Sequence, residues 1–346
     1  MKIFPFVSIV IPTLNSDKTL EECLSAIRAQ EYPQDSYEII IADAGSKDDT
    51  KKIAEAFHVD KIVFNELKTG EAGKTVGIKE SKGEVIALID SDNIMPFPTW
   101  LEMMVEPFED EEIMGSEPVS FTWRKGDHPL IRYFTLLGMN DPVCLFLGNY
   151  DRRSAITNRW TNLPVQQEDK GNYLKLDLSD HRYPTIGANG FVFRKKLLDY
   201  VEWSPYFFDI DIIPQAGLKD INCFAKVKCG IIHLYCTKLS NFKNKQERRI
   251  KDFLYFSATK ERKYPWKATN HTKGIILFSI STVTLLPLIV QSVIGFCRKP
   301  DICWLYHIPV CWITLFVYAK ETIKKFIGIK PEIKDRDTWQ KKNRSS

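Results

Sequence analysis

Two aspartates one residue apart, in Asp90-Ser91-Asp92-Asn93, close the apolar run Glu84–Ile89. A carboxylate ending an apolar strand is costly to bury alone, so each needs a partner. A pair at this spacing suits a hard divalent cation, Mg2+ or Mn2+, that bridges phosphate oxygens, although Asp-x-Asp by itself also fits a solvated turn. Thr13 and Asn15 follow a second apolar run, Val7–Pro12, and Asp43 ends a third, Glu38–Ala42. Open α/β sheets bind ligands at the carboxyl ends of their strands, so these groups are expected to converge. No GxGxxG or Walker A stretch occurs, which disfavours dinucleotide oxidoreductases and P-loop NTPases. A nucleotide would then be held by acidic and backbone groups together with a cation. Cys229, His233 and Cys236 form another possible metal set, but Val227, Ile231 and Ile232 around them read as a buried strand with reduced, buried thiols.

The elements that must position these groups alternate. Val7–Pro12, Glu38–Ala42, Lys61–Phe64 and Glu84–Ile89 are Val/Ile-rich and bounded by turn residues, as in a parallel sheet covered on both faces. Between them, Thr19–Glu22 reads as a capping box leading into Leu20, Leu24 and Ile27 on one helical face. Ser46–Asp49 reads as a second helix start and Gly73–Ser81 as a third helix, which together predict a doubly wound α/β domain. From about Pro107 to Tyr183 the pattern is mixed. Thr185–Arg194 reads as a Gly-rich loop feeding a strand, Lys195–Val201 as a helix and Cys223–Leu234 as two short strands.

The 346 residues carry 48 Lys+Arg against 44 Asp+Glu, with 44% hydrophobic and 27% charged residues. That composition excludes a disordered or low-complexity chain and gives no reason to expect a nucleic-acid partner. The apolar N-terminus is interrupted by Pro5 and Pro12 and has no small-residue cleavage site, so it reads as a strand and not as a signal peptide. Gly274–Phe296 contains no charge, and as a helix it would be about 34 Å long, enough to cross a hydrocarbon core of about 30 Å. After Cys297-Arg298-Lys299-Pro300-Asp301, Ile302–Ala319 is again uncharged. Ten Lys/Arg against three acids in Lys243–Lys273, and a basic tail beyond residue 320, predict a transmembrane helical hairpin with both flanks in the cytoplasm. Neither Asn270-His271-Thr272 nor Asn343-Arg344-Ser345 should then be glycosylated.

Residues 5–240 resemble family 2 glycosyltransferases of the GT-A fold. The matching stretches are Val7–Asn15, Asp43–Thr50, Gly77–Glu84 and Leu88–Asp92. The resemblance implies an α/β catalytic domain with a GT-A-type doubly wound mixed sheet over residues 1–240. Residues 1–115 would bind a nucleotide-diphospho-sugar and 116–240 the acceptor. Residues 241–273 would then be juxtamembrane, 274–320 two transmembrane helices and 321–346 a cytosolic tail. By position, Pro12, Thr13 and Asn15 would lie against the nucleotide, Asp43 against the base or ribose, and Lys74 near the phosphates. Asp90 would contact ribose or metal, and Asp92 would ligate Mn2+ or Mg2+. Thr75 stands where the family often has Asn. Gly187-Ala188-Asn189-Gly190 and Arg194 would lie under the donor sugar. His233 matches a position that sometimes joins the metal or diphosphate, and also fits a buried core histidine.

An inverting transfer needs a carboxylate opposite the leaving group, and Phe207-Phe208-Asp209-Ile210-Asp211 falls where the family places it. Asp211 is preferred over Asp209, with Asp141 a distant third. Gln246–Ile250 is similar to the QxxRW motif of processive synthases but has Ile250 for Trp. The expectation is a membrane-anchored, metal-dependent, inverting glycosyltransferase acting at the cytosolic leaflet on a lipid-linked, polyprenyl-type acceptor with a uridine-linked donor. A processive synthase, a nucleotidyltransferase of related topology and a non-catalytic scaffold are the alternatives.

Overall fold

The Val/Ile runs become neighbouring strands because each is apolar on both faces and only a doubly covered sheet buries both. A computed structural model describes residues 4–264 and 271–330. In chain order its elements are β1 (Val7–Thr13), α1 (Leu20–Arg28), β2 (Tyr37–Asp43), α2 (Thr50–Ala56), β3 (Lys61–Phe64), α3 (Gly70–Glu80), β4 (Val85–Leu88), β5 (Asn93–Ile94) and α4 (Trp100–Val105). There follow β6 (Gly115–Thr122), α5 (Pro129–Leu137), α6 (Val143–Leu147), β7 (Gln166–Asp169), β8 (Tyr173–Asp177), β9 (Phe191–Arg194), α7 (Asp209–Gly217) and β10 (Cys223–His233). The chain continues with α8 (Leu239–Ala258), α9 (His271–Thr284), α10 (Leu286–Arg298) and α11 (His307–Phe326).

Contacts divide the chain into two units, residues 1–122 with 164–234, and residues 123–163 with 235–346. The sequence-based boundary at 240 had kept 123–163 in the catalytic domain. The first unit holds a mixed sheet in the order β3-β2-β1-β4-β9-β6-β10-β8-β7, with β5 on β10. Strands β1 to β4 run parallel, and β9 is antiparallel to both β4 and β6. The fully buried Val7, Ile9 and Ile11 of β1 meet Leu20, Leu24 and Ile27 of α1, while α3 covers the opposite face. There the absence of a side chain is required: a Cβ on Gly77 would lie 2.3 Å from Val10 Cγ1.

Several local expectations change. Thr19 precedes α1 without capping it through its side chain. Helix α2 begins at Thr50, because Ser46 is engaged elsewhere. Lys195–Tyr200 is a 3-10 turn, and Cys223–His233 is one strand with an irregularity between Val227 and Gly230 where two strands were expected.

In the second unit, α5 buries Leu130, Tyr133, Phe134 and Leu137 against Phe242 of α8, Val310 of α11 and Trp304 in the 3-10 turn before α11. The uncharged run Gly274–Phe296 does not form one helix. Its two parts, α9 and α10, meet at a bend of 91° at Leu285. Pro287 is the physical cause, since it offers no N–H and its ring clashes with the carbonyl four residues earlier. Ile302–Phe326 is long and apolar enough to cross a membrane, as the bent pair would be if it counted as one span. The basic tail beyond residue 330, and Lys267, lie outside the described residues.

Candidate active site

Parallel pairing sets Thr13 opposite Asp43 at the carboxyl ends of β1 and β2. Asp43 is buried there. Its Oδ1 accepts from Thr13 Oγ1 at 3.1 Å and from Ser46 Oγ, and its Oδ2 accepts from the backbone N–H of Gly45 at 3.0 Å and Ser46 at 2.9 Å. Four donors occupy the acceptor directions of one carboxylate. Lys51 Nζ lies 3.7 Å from Oδ2. Asn15 joins the same loops, its N–H donating to Ser46 Oγ (2.8 Å) and its Oδ1 accepting from Lys47 N–H (2.7 Å). Its φ of +52° is a left-handed conformation that Asn tolerates well. Pro12 sits beneath α3, where a Cβ on Gly73 would come within 2.9 Å of it.

The next strand end carries the paired aspartates. Ser91 Oγ donates to Ser16 Oγ at 3.0 Å, tying the β4 turn to the β1 turn. Because β5 pairs antiparallel with β10, Asn93 stands opposite His233, and His233 Nε2 lies 3.4 Å from Asp92 Oδ1. Asn93 Nδ2 donates to Asn189 Oδ1 (3.2 Å), bringing the Gly-rich loop to the same turn. Cys229 and Cys236 are buried free thiols, as the sequence reading preferred: Cys229 Sγ lies 3.7 Å from Met104 Sδ, and His233 turns to Asp92.

Lys74 of α3 is the hub of a third group. Its Nζ lies 2.5 Å from Asp209 Oδ2 and 3.5 Å from Asp90 Oδ1. Burial opposes the Lys74 charge, but Asp209 and Asp90 together outweigh it and raise the pKa. For Asp209 burial dominates: against the pull of Lys74, and helped by Asp90, it pushes the carboxyl up to about 7. Asp209 Oδ1 is itself buried and has no hydrogen-bond partner, while the side chain as a whole is 17% exposed. Asp211, two residues along α7, is 0% exposed. Asp141 belongs to the other unit, where it accepts from Tyr318 Oη. Gly187, at φ +137°, lies flush on the Asp209 peptide; a Cβ there would meet the Asp209 carbonyl at 2.3 Å. Thr75 donates to the backbone oxygens of Glu71 and Trp203.

The expected residues therefore form three adjoining groups: Thr13, Asn15 and Asp43; Lys74, Asp90 and Asp209; and Asp92, His233 and Asn189. Sequence reasoning missed Ser16, Ser46, Ser91 and Asn93, which connect them. Ser46 and Ser91 each lie within three residues of a singled-out aspartate, the only signal they give. Among the described residues no three His, Cys, Asp or Glu side chains are assembled to hold a cation. The donor chemistry of Asp92 and His233 nonetheless fits Mn2+ or Mg2+ shared with diphosphate oxygens, since two protein donors suffice when the ligand supplies others.

Residues 8–199 match the family described as Glycosyl transferase family 2. The chain is 32% identical over 148 residues to Glycosyltransferase AglE of Haloferax volcanii, covering 40% of this chain and 48% of that protein. It is 35% identical over 193 residues to the human dolichyl-phosphate beta-glucosyltransferase, covering 46% and 59%. The chain thus spans about half the length of these relatives. A mannosyltransferase from Pyrobaculum calidifontis, solved in complex with GDP-Man and Mn2+, shares the fold with a TM-score of 0.54 at 14% identity, covering 92% of this chain and 87% of that one. With a GT-A-type mixed sheet and this match over more than half its length, the chain belongs to glycosyl transferase family 2.

Proposed function

We propose that the protein moves a sugar, with inversion, from a uridine-linked nucleotide-diphospho-sugar to a lipid-linked acceptor of the polyprenyl phosphate type. The observation that carries the reading is the Lys74–Asp209–Asp90 group with its unpartnered carboxylate oxygen. The named relative that acts on dolichyl phosphate supports the acceptor class.

Thr13, Asn15 and Ser46 line the nucleoside side, and Asp43, its acceptor directions filled, holds them in place. Asp92 and His233 would hold a divalent cation, which supplies positive charge to the leaving diphosphate. Lys74 keeps a fixed positive charge between Asp90 and Asp209. Asp209 Oδ1 takes the acceptor hydroxyl proton as that oxygen attacks the sugar carbon and the diphosphate departs. This gives the base role to Asp209, whose side chain is partly exposed, in preference to the fully buried Asp211. The Lys/Arg-rich flank before the apolar segments supports placing the reaction at the cytoplasmic face of a membrane.

The test is turnover by Asp209→Asn and Asp211→Asn with the anomeric configuration of the product read by NMR. Asp209→Asn should lose roughly 10²- to 10⁴-fold in kcat, as removal of a general base does, while still binding nucleotide. Near-normal turnover in Asp209→Asn would overturn the assignment. Release of pyrophosphate in place of a nucleoside diphosphate would overturn the reaction class.

A further inference from the structure

The second unit ties the far end of its apolar hairpin to the segment at its near end. Arg132 of α5 grips Asp301, with Nε to Oδ2 at 2.8 Å and Nη2 to Oδ1 at 3.1 Å. Arg298 Nη1 donates to the carbonyls of Ala155 and Ile156. Tyr133 Oη meets His307 Nδ1 at 2.9 Å, and His307 Nε2 meets Gln291 Oε1 at 2.8 Å, joining α5, α11 and α10. Two transmembrane crossings would put residues 298–301 across a core of about 30 Å from residues 123–163. The longest helix in 123–163, α5, has 9 residues, about 14 Å, so that segment cannot follow them across. Helices α9 and α10, with 14 and 13 residues and thus about 20 Å each, meet at 91°. Neither spans alone.

Their outer surface is nevertheless unsuited to water. Ile276, Ile280, Val283, Leu286, Val293 and Phe296 are each at least half exposed. The surrounding charge is one-signed: every exposed charged residue between 235 and 330, among those described, is Lys or Arg. An apolar wedge rimmed by cations matches the acyl region and headgroups of an anionic lipid leaflet.

We infer that the bent α9–α10 pair is re-entrant: it dips into one leaflet of an anionic membrane and returns, leaving residues 298–301 on the side from which it entered. The transferase reading is not needed for this topology, and its test uses no activity.

Cys297, exposed beside the loop, supplies the probe. The full chain is expressed in bacteria and exposed to a membrane-impermeant maleimide in intact spheroplasts and in inverted membrane vesicles. Cys297→Ser is the background, and Lys52→Cys on that background reports the side of the catalytic domain. Re-entry predicts that Cys297 and Lys52→Cys both react in inverted vesicles and neither in spheroplasts. Labelling of Cys297 from the spheroplast side alone would establish a spanning hairpin and overturn the inference. Recovery of the chain in the soluble fraction, including as a dimer that covers the apolar face with a second copy, would overturn it as well. The double variant Ile280→Glu with Leu286→Glu changes side chains that are 56% and 66% exposed, so the fold should survive. It should lower the vesicle-bound to free ratio in flotation with phosphatidylglycerol vesicles by roughly tenfold or more. Unchanged flotation would also overturn the inference.

Discussion

Asp209 combines two features that rarely coincide by accident. One oxygen is paired with a buried lysine and the other is unpartnered, with burial pushing the carboxyl up to about 7. A base is most effective when its pKa lies near the working pH. The rate kcat/KM should therefore fall on the acid side with an apparent pKa close to 7, a limb read directly from a pH–rate profile. Stability carries the opposite sign. A carboxyl raised from 3.8 in the unfolded chain binds its proton more tightly when folded, so its contribution is full below about pH 3.8 and disappears as the pH rises through about 7. Asp209→Asn should remove that dependence, and melting temperatures at pH 5 and pH 8 should lie closer together in the variant than in the wild type. An unaltered gap would show that another group titrates.

Among the elements, β6 and β10 hold the Gly-rich loop from behind. Glu117 of β6 and Lys226 of β10 are both fully buried and form an ion pair, while Glu117 Oε1 also accepts the Gly187 N–H at 2.9 Å. Gly187 lies in turn against the Asp209 peptide. Deleting one member of a buried pair leaves an uncompensated charge, so Glu117→Ala should cost about 3–5 kcal/mol in urea unfolding. Glu117→Leu combined with Lys226→Met removes both charges and should recover most of that loss. Its donor KM should still rise, because Gly187 has lost its acceptor.

For the whole molecule, strands β2, β1 and β4 lie side by side, and groups as far as 135 residues apart meet at that end of the sheet, as Lys74 and Asp209 do. Ligands that bind only the folded state raise its stability by about 2.7 kcal/mol at 100 times the dissociation constant. A uridine diphosphate with Mn2+ should therefore raise the melting temperature by several degrees. Chelating the metal, or Asp92→Ala, should remove most of that rise. A shift of the same size without metal would argue against a cation shared between Asp92, His233 and the diphosphate.

The sequence by itself determined the alternation of strands and helices over the first hundred residues and the carboxylates at the strand ends, because apolar runs bounded by turns and the residues that close them are local signals. β3 was bounded correctly at Lys61–Phe64, and Asp43, Asp90 and Asp92 were found where the strands end. What only the tertiary structure decided are relations between residues distant in sequence. The burial of Asp211 beside the partly exposed Asp209, the Lys74 hub and the Asp92–His233 pairing depend on α3, α7 and β10 meeting at one sheet end. The 91° elbow between α9 and α10 had a local cause in Pro287, but charge counting treats the run as one length of apolar chain. Whether such a run crosses or turns back depends on what its far end is bonded to, here Arg132 to Asp301, a contact 169 residues apart that no window of sequence contains.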